Sequence, residues 1–278
     1  MRAVENSKFL TFNEISTALD QTRKQMIKNI LKGIKAYAGT FKLISKLGLW
    51  KYFGVPMAIS FFTAVLIGFS AWGLSDNLGA FISKIWFWEW GSETFRSISN
   101  FIGALTIIAL GLIFYRHIVM ALSAPFMSPV SEKIEKHLFG TGHLHRNTSN
   151  VEQLWRGVRI NVRNLLMELM LTIPIILIGF IPVVGIISSV LLFLVQSYYA
   201  GFGNMDYTLE RHYKYSESIQ FVRRNRGLAI GNGVIFMLML LIPVVGIILV
   251  LPLSVTAAST EALRVIDSSC KVLPRATL

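Results

Sequence analysis

The chain has 278 residues, 53% hydrophobic and only 15% charged, with a mean hydropathy of +0.56. An ordinary soluble domain is about a quarter charged, so this composition argues against a soluble enzyme and for an integral membrane protein. The net charge of +12 would suggest nucleic acid in a soluble chain. Here the basic residues flank apolar runs and no nucleic-acid motif is present, so membrane topology and anionic headgroups account for them better.

The N-terminal sequence MRAVENSKFLTFNEIS lacks an apolar core with a small-residue cleavage site, so no cleaved signal peptide is expected. Residues 1–23 read as an N-terminal extension. Residues 24–265 read as one membrane domain and 266–278 as a tail. Within 24–47, Lys24, Lys28, Lys32, Lys35, Lys42 and Lys46 fall in a helical arc of roughly 80°. Ile27, Ile30, Leu31, Ile34, Tyr37, Phe41 and Ile44 lie opposite, the pattern of a helix in the membrane interface.

Residues 53–74 carry no charge and are long enough to cross a hydrocarbon core of about 30 Å. Between 76 and 97, Trp86, Phe87, Trp88 and Trp90 suit the bilayer–water interface. Residues 98–122 read as a second span, with Arg116 and His117 at its far boundary. Ser128 and Pro129 then read as N-cap and first residue of a new helix, with Glu132 complementing its dipole.

Residues 165–201 are too long for one span, at roughly 55 Å as a helix. They are interrupted by IPVVGII at 181–187, and the same heptapeptide recurs at 242–248 inside the run 228–260. Proline and glycine are poor in helix interiors, so Pro182, Gly185, Pro243 and Gly246 are expected to break two helical hairpins. Their arms are expected to be about 16 and 14 residues, which favours partial penetration over two full but kinked spans. Arg163-Asn164 and Arg224-Asn225 keep the same offset of 61 and would open each unit. If both hairpins return to their starting side, 25 of the 27 basic residues share one side, which makes the N-terminus cytoplasmic.

Enzyme signatures such as HExxH, GxSxG and the phosphate-binding loop are absent, so no catalytic role and no cofactor is expected. Cys270 is the lone cysteine, and His143 with His145 lack a third ligand, so no metal site is expected. The oxyanion candidates are Gly48, Leu49 and Lys51, where Gly48 is placed to end one helix and the next begins beside a lysine. Arg163 and Arg224 are further candidates, with lipid headgroups as the competing partner. Glu168, an acid in an apolar run, needs a partner, and Arg159 or Arg163 are the nearby choices.

The set Gly48-Leu49, Ala124-Pro125-Phe126 with Glu132-Lys133, Asp206-Tyr207, Arg224-Asn225-Arg226-Gly227 and the two IPVVG breaks resembles the CysZ-type sulfate permeases. That family belongs to a broader group with the etoposide-induced membrane proteins, and the resemblance covers about residues 30–265. It implies an all-helical inner-membrane protein with two full spans and two pairs of partly penetrating helices, assembled as a homo-oligomer among membrane lipids. It also implies sulfate uptake for cysteine synthesis, with the anion held near a Gly-Leu-Arg stretch before the first span. This chain departs there, with Trp50 in the arginine position and Lys51 as a point charge. Met127-Ser128-Pro129 likewise replaces the usual small continuation of the Ala-Pro-Phe motif. The alternative function is a non-transporting membrane scaffold that meets lipid through the same basic residues.

Overall fold

A computed structural model describes residues 12–83, 92–140, 148–179, 181, 184–242 and 245–272. Among them are nine helices and no strand. They are α1 (Phe12–Lys35), α2 (Thr40–Lys46), α3 (Trp50–Ser83), α4 (Ser92–Phe139), α5 (Asn150–Gly179), α6 (Val184–His212), α7 (Tyr215–Arg224), α8 (Arg226–Leu240) and α9 (Val245–Val272). The all-helical membrane architecture that the resemblance implies is thus present. Four segments among the described residues are long and apolar enough to cross a bilayer: Trp50–Leu74, Asn150–Gly179, Val184–His212 and Ile248–Ser268. The aromatic cluster at Trp86–Trp90, His143, His145, Pro182 and Pro243 lie outside the described residues.

The burial pattern is that of a bilayer protein. Phe62, Leu66 and Trp72 on α3, and Leu177, Ile186 and Ile187 near the α5–α6 tip, are exposed. Polar side chains instead fill the interior, among them Arg116, Glu135, Glu168, Asn204 and Asp206. Water would penalise so large an apolar surface, whereas hydrocarbon accepts it. One apolar core joins Ile44, Leu49, Phe53, Met127, Val130 and Val255. A second joins Ile160, Phe202, Met205, Leu209, Val222 and Ala258.

The continuous helix expected over 24–47 is divided. A turn at Ala36–Gly39, with Gly39 at φ 85°, separates α1 from α2. The second span does not stop near Leu122, and Ser128 does not cap a new helix. α4 runs unbroken through Pro125 and Pro129 to Phe139, which leaves Glu132 mid-helix rather than in a first turn. Proline removes an N–H and crowds the carbonyl four residues back. For Pro125 that carbonyl belongs to Ala121, against which α5 packs so closely that a Cβ on Gly157 would sit 3.0 Å from it. Such close helix contact lets tertiary packing override the local preference.

The first hairpin is longer than its apolar run. α5 starts at Asn150, behind a reciprocal capping box in which Ser149 N–H donates to Glu152 Oε2 (2.9 Å) and Glu152 N–H donates to Ser149 Oγ (3.3 Å). Its arms are therefore 30 and 29 residues, and the Arg163-Asn164 pair lies inside α5 rather than at its start. The second hairpin has arms of 15 and 28 residues. The shorter arm, α8, rises only about 22 Å.

Both helix breaks fall where the repeated heptapeptide places them. Gly185 N–H donates to Ile181 O (3.1 Å) and Gly246 N–H to Ile242 O (2.9 Å), the same bond in both copies. A Cβ on Gly185 would lie 2.8 Å from Gly179 O, and one on Gly246 would overlap Met239 O. These glycines are needed because the returning helix starts against the carbonyl end of the one before it.

Candidate functional site

Gly48 sits at φ 62° and closes α2 in a Schellman motif. Leu49 N–H donates to Ile44 O (2.9 Å) and Gly48 N–H to Ser45 O (3.2 Å). The accompanying apolar contact is Ile44 with Leu49, both fully buried in the first core. Leu49 is therefore occupied with the cap and positions the start of α3 through its backbone. Lys51 is exposed one residue into α3. Its Nζ lies 5.2 Å from the Tyr52 ring centroid, and Lys133 Nζ of α4 lies 5.3 Å from the same ring. Two ammonium groups thus converge on one aromatic ring beside the N-terminal end of α3. Trp50 turns its indole N–H to Ser45 Oγ (3.1 Å) and meets Phe41 edge-on.

The motif residues of α4 and α6 come together. Ala124 is buried against Gly157, and Tyr207 donates its hydroxyl to Met120 O (2.6 Å), one residue from the carbonyl that Pro125 frees. Phe126 is half-buried against the first core. Asp206 receives a two-pronged contact from Arg156 of α5, Nη2 to Oδ1 at 3.0 Å and Nε to Oδ2 at 3.3 Å. The same guanidinium reaches Tyr213 O (2.8 Å) and Ser218 Oγ (2.6 Å). Glu132 is exposed, while Glu135, one turn on, is buried and pairs with Arg211 of α6 (3.2 Å).

Glu168 finds neither Arg159 nor Arg163. On α5 those residues point roughly 180° and 140° away from it. Arg159 stacks on Tyr215 at 4.1 Å, and Arg163 donates to Asn164 Oδ1 (3.0 Å) beside the Phe202 ring. The partners of Glu168 come from α4. Arg116 Nη2 contacts Oε1 directly, and His117 Nε2 lies 3.3 Å from Oε2. Arg116 also reaches Gln196 O of α6 (3.4 Å) and Met237 Sδ of α8 (3.2 Å). Arg116 and His117 are thus interior residues rather than boundary markers.

Among the described residues, a largely buried ion pair joins each two of α4, α5 and α6: Arg116–Glu168, Arg156–Asp206 and Glu135–Arg211. A neutral polar chain continues from them. Arg211 donates to Ser131 Oγ (3.2 Å), Ser131 to Thr208 (3.1 Å) and Thr208 to Ser259 (2.8 Å). Asn204 donates to Asn232 Oδ1 (2.9 Å), and Asn232 to Ser254 O (3.0 Å). Arg163 and Arg224 border different cavities among the described residues. Arg163 borders an apolar one with Trp155 and Met167, whereas Arg224 borders one of about 430 Å³ with Arg223 and Arg226. No group of three or more metal-ligating side chains occurs among the described residues.

A family profile described as "Sulfate transporter CysZ/Etoposide-induced protein 2.4" matches residues 36–250. The chain belongs to this family. Search of individual curated proteins gave no match. The matched segment runs from the α1–α2 turn into α9 and so contains both hairpins' breaks, the Gly48 cap and all three ion pairs. Among the residues of those pairs, the sequence points to Arg116, Glu168 and Asp206, with Arg116 expected at a span boundary. Arg156, Glu135 and Arg211 stand in mixed polar stretches that carry no periodic signal of burial.

Proposed function

We propose that this family member is a permease for a small oxyanion, sulfate first, in a bacterial cytoplasmic membrane. It would serve cysteine synthesis, with the N-terminus cytoplasmic and the chain assembled as a homo-oligomer among lipids. The observation that carries the reading is the polar interior. Ionisable side chains inside a membrane bundle are costly and mark ion pathways. Besides the three ion pairs, Asn164 Nδ2, Ser197 Oγ and Thr256 Oγ1 are buried without a hydrogen-bond partner among the described residues. Such groups suit a partly hydrated anion.

Gly48 and Leu49 set the start of α3, Lys51 and Lys133 supply charge there, and Arg163 and Arg224 attract the anion at two separate places. Inside, Glu168 competes with an anion for Arg116, so passage requires that pair to part. The short α8 arm supports partial depth for the second hairpin, whereas both arms of the first are long enough to cross. The family's transport character favours a transporter over an enzyme.

The test is sulfate uptake into liposomes carrying the purified chain. Uptake above protein-free vesicles, inhibited by other tetrahedral oxyanions and reduced by Lys51→Ala and Arg163→Ala, is expected. Absence of flux from folded, inserted protein overturns the permease reading in favour of a scaffold that meets lipid through the same basic residues.

A further inference from the structure

α1 lies outside the matched segment, which begins at Ala36, yet it is tightly seated. A Cβ on Gly227 would come 2.7 Å from Met26 O, one on Gly33 would come 2.6 Å from Leu228 O, and one on Gly231 would overlap Ile30 O. Gly227-x-x-x-Gly231 of α8 thus receives α1 backbone to backbone, in the small-residue manner of membrane helices. α1 is a fixed wall of whatever it borders.

It borders two cavities of about 720 and 430 Å³, and Gln25 and Asn29 of α1 line both. Lys32, Lys35 and Arg264 face the larger, and Arg223, Arg224 and Arg226 the smaller. The one acid bordering them, Glu261, is held by Arg264 at 2.5 Å. Arg223, Arg224 and Arg226 carry no ion pair among the described residues. α8 also begins at Arg226, so the positive end of its dipole adds to theirs. A single sulfate fills a small part of this space, whereas three guanidinium forks match a row of oxyanion groups.

The direction of the opening selects the ligand. Leu19, Ile27 and Leu31 form an exposed apolar strip on α1. The cavity-lining Gln21, Gln25, Asn29 and Lys32 lie roughly 170° around the helix from it. With the strip on the bilayer, both cavities open to water. We propose that α1 and the Arg223–Arg226 turn form a second anion site, separate from Lys51, for a soluble ligand with two or more adjacent phosphate groups.

The test is calorimetric titration of the full purified chain in neutral detergent, with inorganic tripolyphosphate and inorganic sulfate at fixed ionic strength. Saturable binding of tripolyphosphate is expected, at least about tenfold tighter than sulfate and weakening as salt rises. Arg224→Ala with Arg226→Ala lowers that affinity at least about tenfold, while Lys51→Ala leaves it unchanged. Should the double alanine variant melt early, Arg224→Lys with Arg226→Lys replaces it. A smaller but measurable loss is then expected, because ammonium keeps charge without the fork. Absence of saturable heat, equal affinity for both anions, or sensitivity to Lys51→Ala overturns the proposal. So does binding that vanishes in phosphatidylglycerol nanodiscs but persists in neutral ones, which assigns the turn to lipid headgroups. Because the titration reads no flux, failure of sulfate uptake leaves this site standing, and its own failure leaves the permease reading standing.

Discussion

Arg116 of α4 and Glu168 of α5 meet in the interior of the bundle, each side chain 2% exposed, with His117 on the other carboxylate oxygen. The pair does more than join two helices, since Arg116 also reaches Gln196 of α6 and Met237 of α8. Four helices therefore converge on one guanidinium. A buried ion pair adds little net stability over an apolar substitute, but loss of one partner leaves a buried charge without compensation.

That asymmetry gives a measurable contrast. Glu168→Ala is expected to destabilise the chain by about 3–5 kcal/mol. The double change Arg116→Met with Glu168→Leu removes both charges and is expected to recover most of that loss. Thermal unfolding in detergent, read by circular dichroism, separates the two. A double variant no more stable than Glu168→Ala would show that the pair is not a closed unit.

The two hairpin glycines should differ although their sequences are identical. A Cβ on Gly246 would overlap the Met239 carbonyl, whereas one on Gly185 would stop 2.8 Å from the Gly179 carbonyl. Backbone has little freedom to yield at the first and somewhat more at the second. Gly246→Ala is expected to cost roughly 1–3 kcal/mol, and Gly185→Ala distinctly less. Melting temperatures of the two variants, side by side, check the order.

The apolar runs, the two breaks and the Gly48 cap were legible because each is fixed by chemistry within a few residues. The partner of Glu168 was not. Which face of α4 meets α5 depends on how two helices rotate against each other, and no local pattern around Arg116 carries that information. The continuity of α4 was hidden for the same reason. Pro125 and Pro129 obey a local rule, and the close approach of Gly157 to Ala121 overrides it. Three glycines of α6 and α8 are contact points, with Gly201 against the Ala229 carbonyl, Gly233 against the Ser197 carbonyl and Gly231 against α1. The spacing of small residues on α8 was the available signal.

Gly48 tests the cap directly. At φ 62° an L side chain is strained, and no neighbouring atom lies within 4 Å of a built Cβ, so backbone conformation alone sets the cost. Gly48→Ala is expected to lose about 1–2 kcal/mol. Gly48→Asn is expected to lose less, since asparagine tolerates the left-handed region better. Unfolding midpoints in detergent decide it. Equal losses for the two variants would mean that φ does not limit the position.

Tyr37, in the turn between α1 and α2, links stability to alkaline pH. Its hydroxyl donates to Asn232 O (2.8 Å) and bonds Ser254 Oγ (2.7 Å), tying the turn to α8 and α9. Burial pushes its pKa well above the ordinary value, with the Ser254 bond opposing weakly. An acid whose folded pKa is raised holds its proton more tightly when folded. Its contribution is therefore complete below the unfolded pKa of about 10 and is lost as pH rises beyond that. Tyr37→Phe removes the hydrogen bonds, at about 1 kcal/mol near neutrality, and removes the linkage as well. Melting temperatures of the two proteins are expected to differ between pH 7 and 9 and to converge above pH 10. Curves that stay parallel would place the alkaline sensitivity on other groups and show that the Tyr37 hydroxyl opens to water without unfolding the chain.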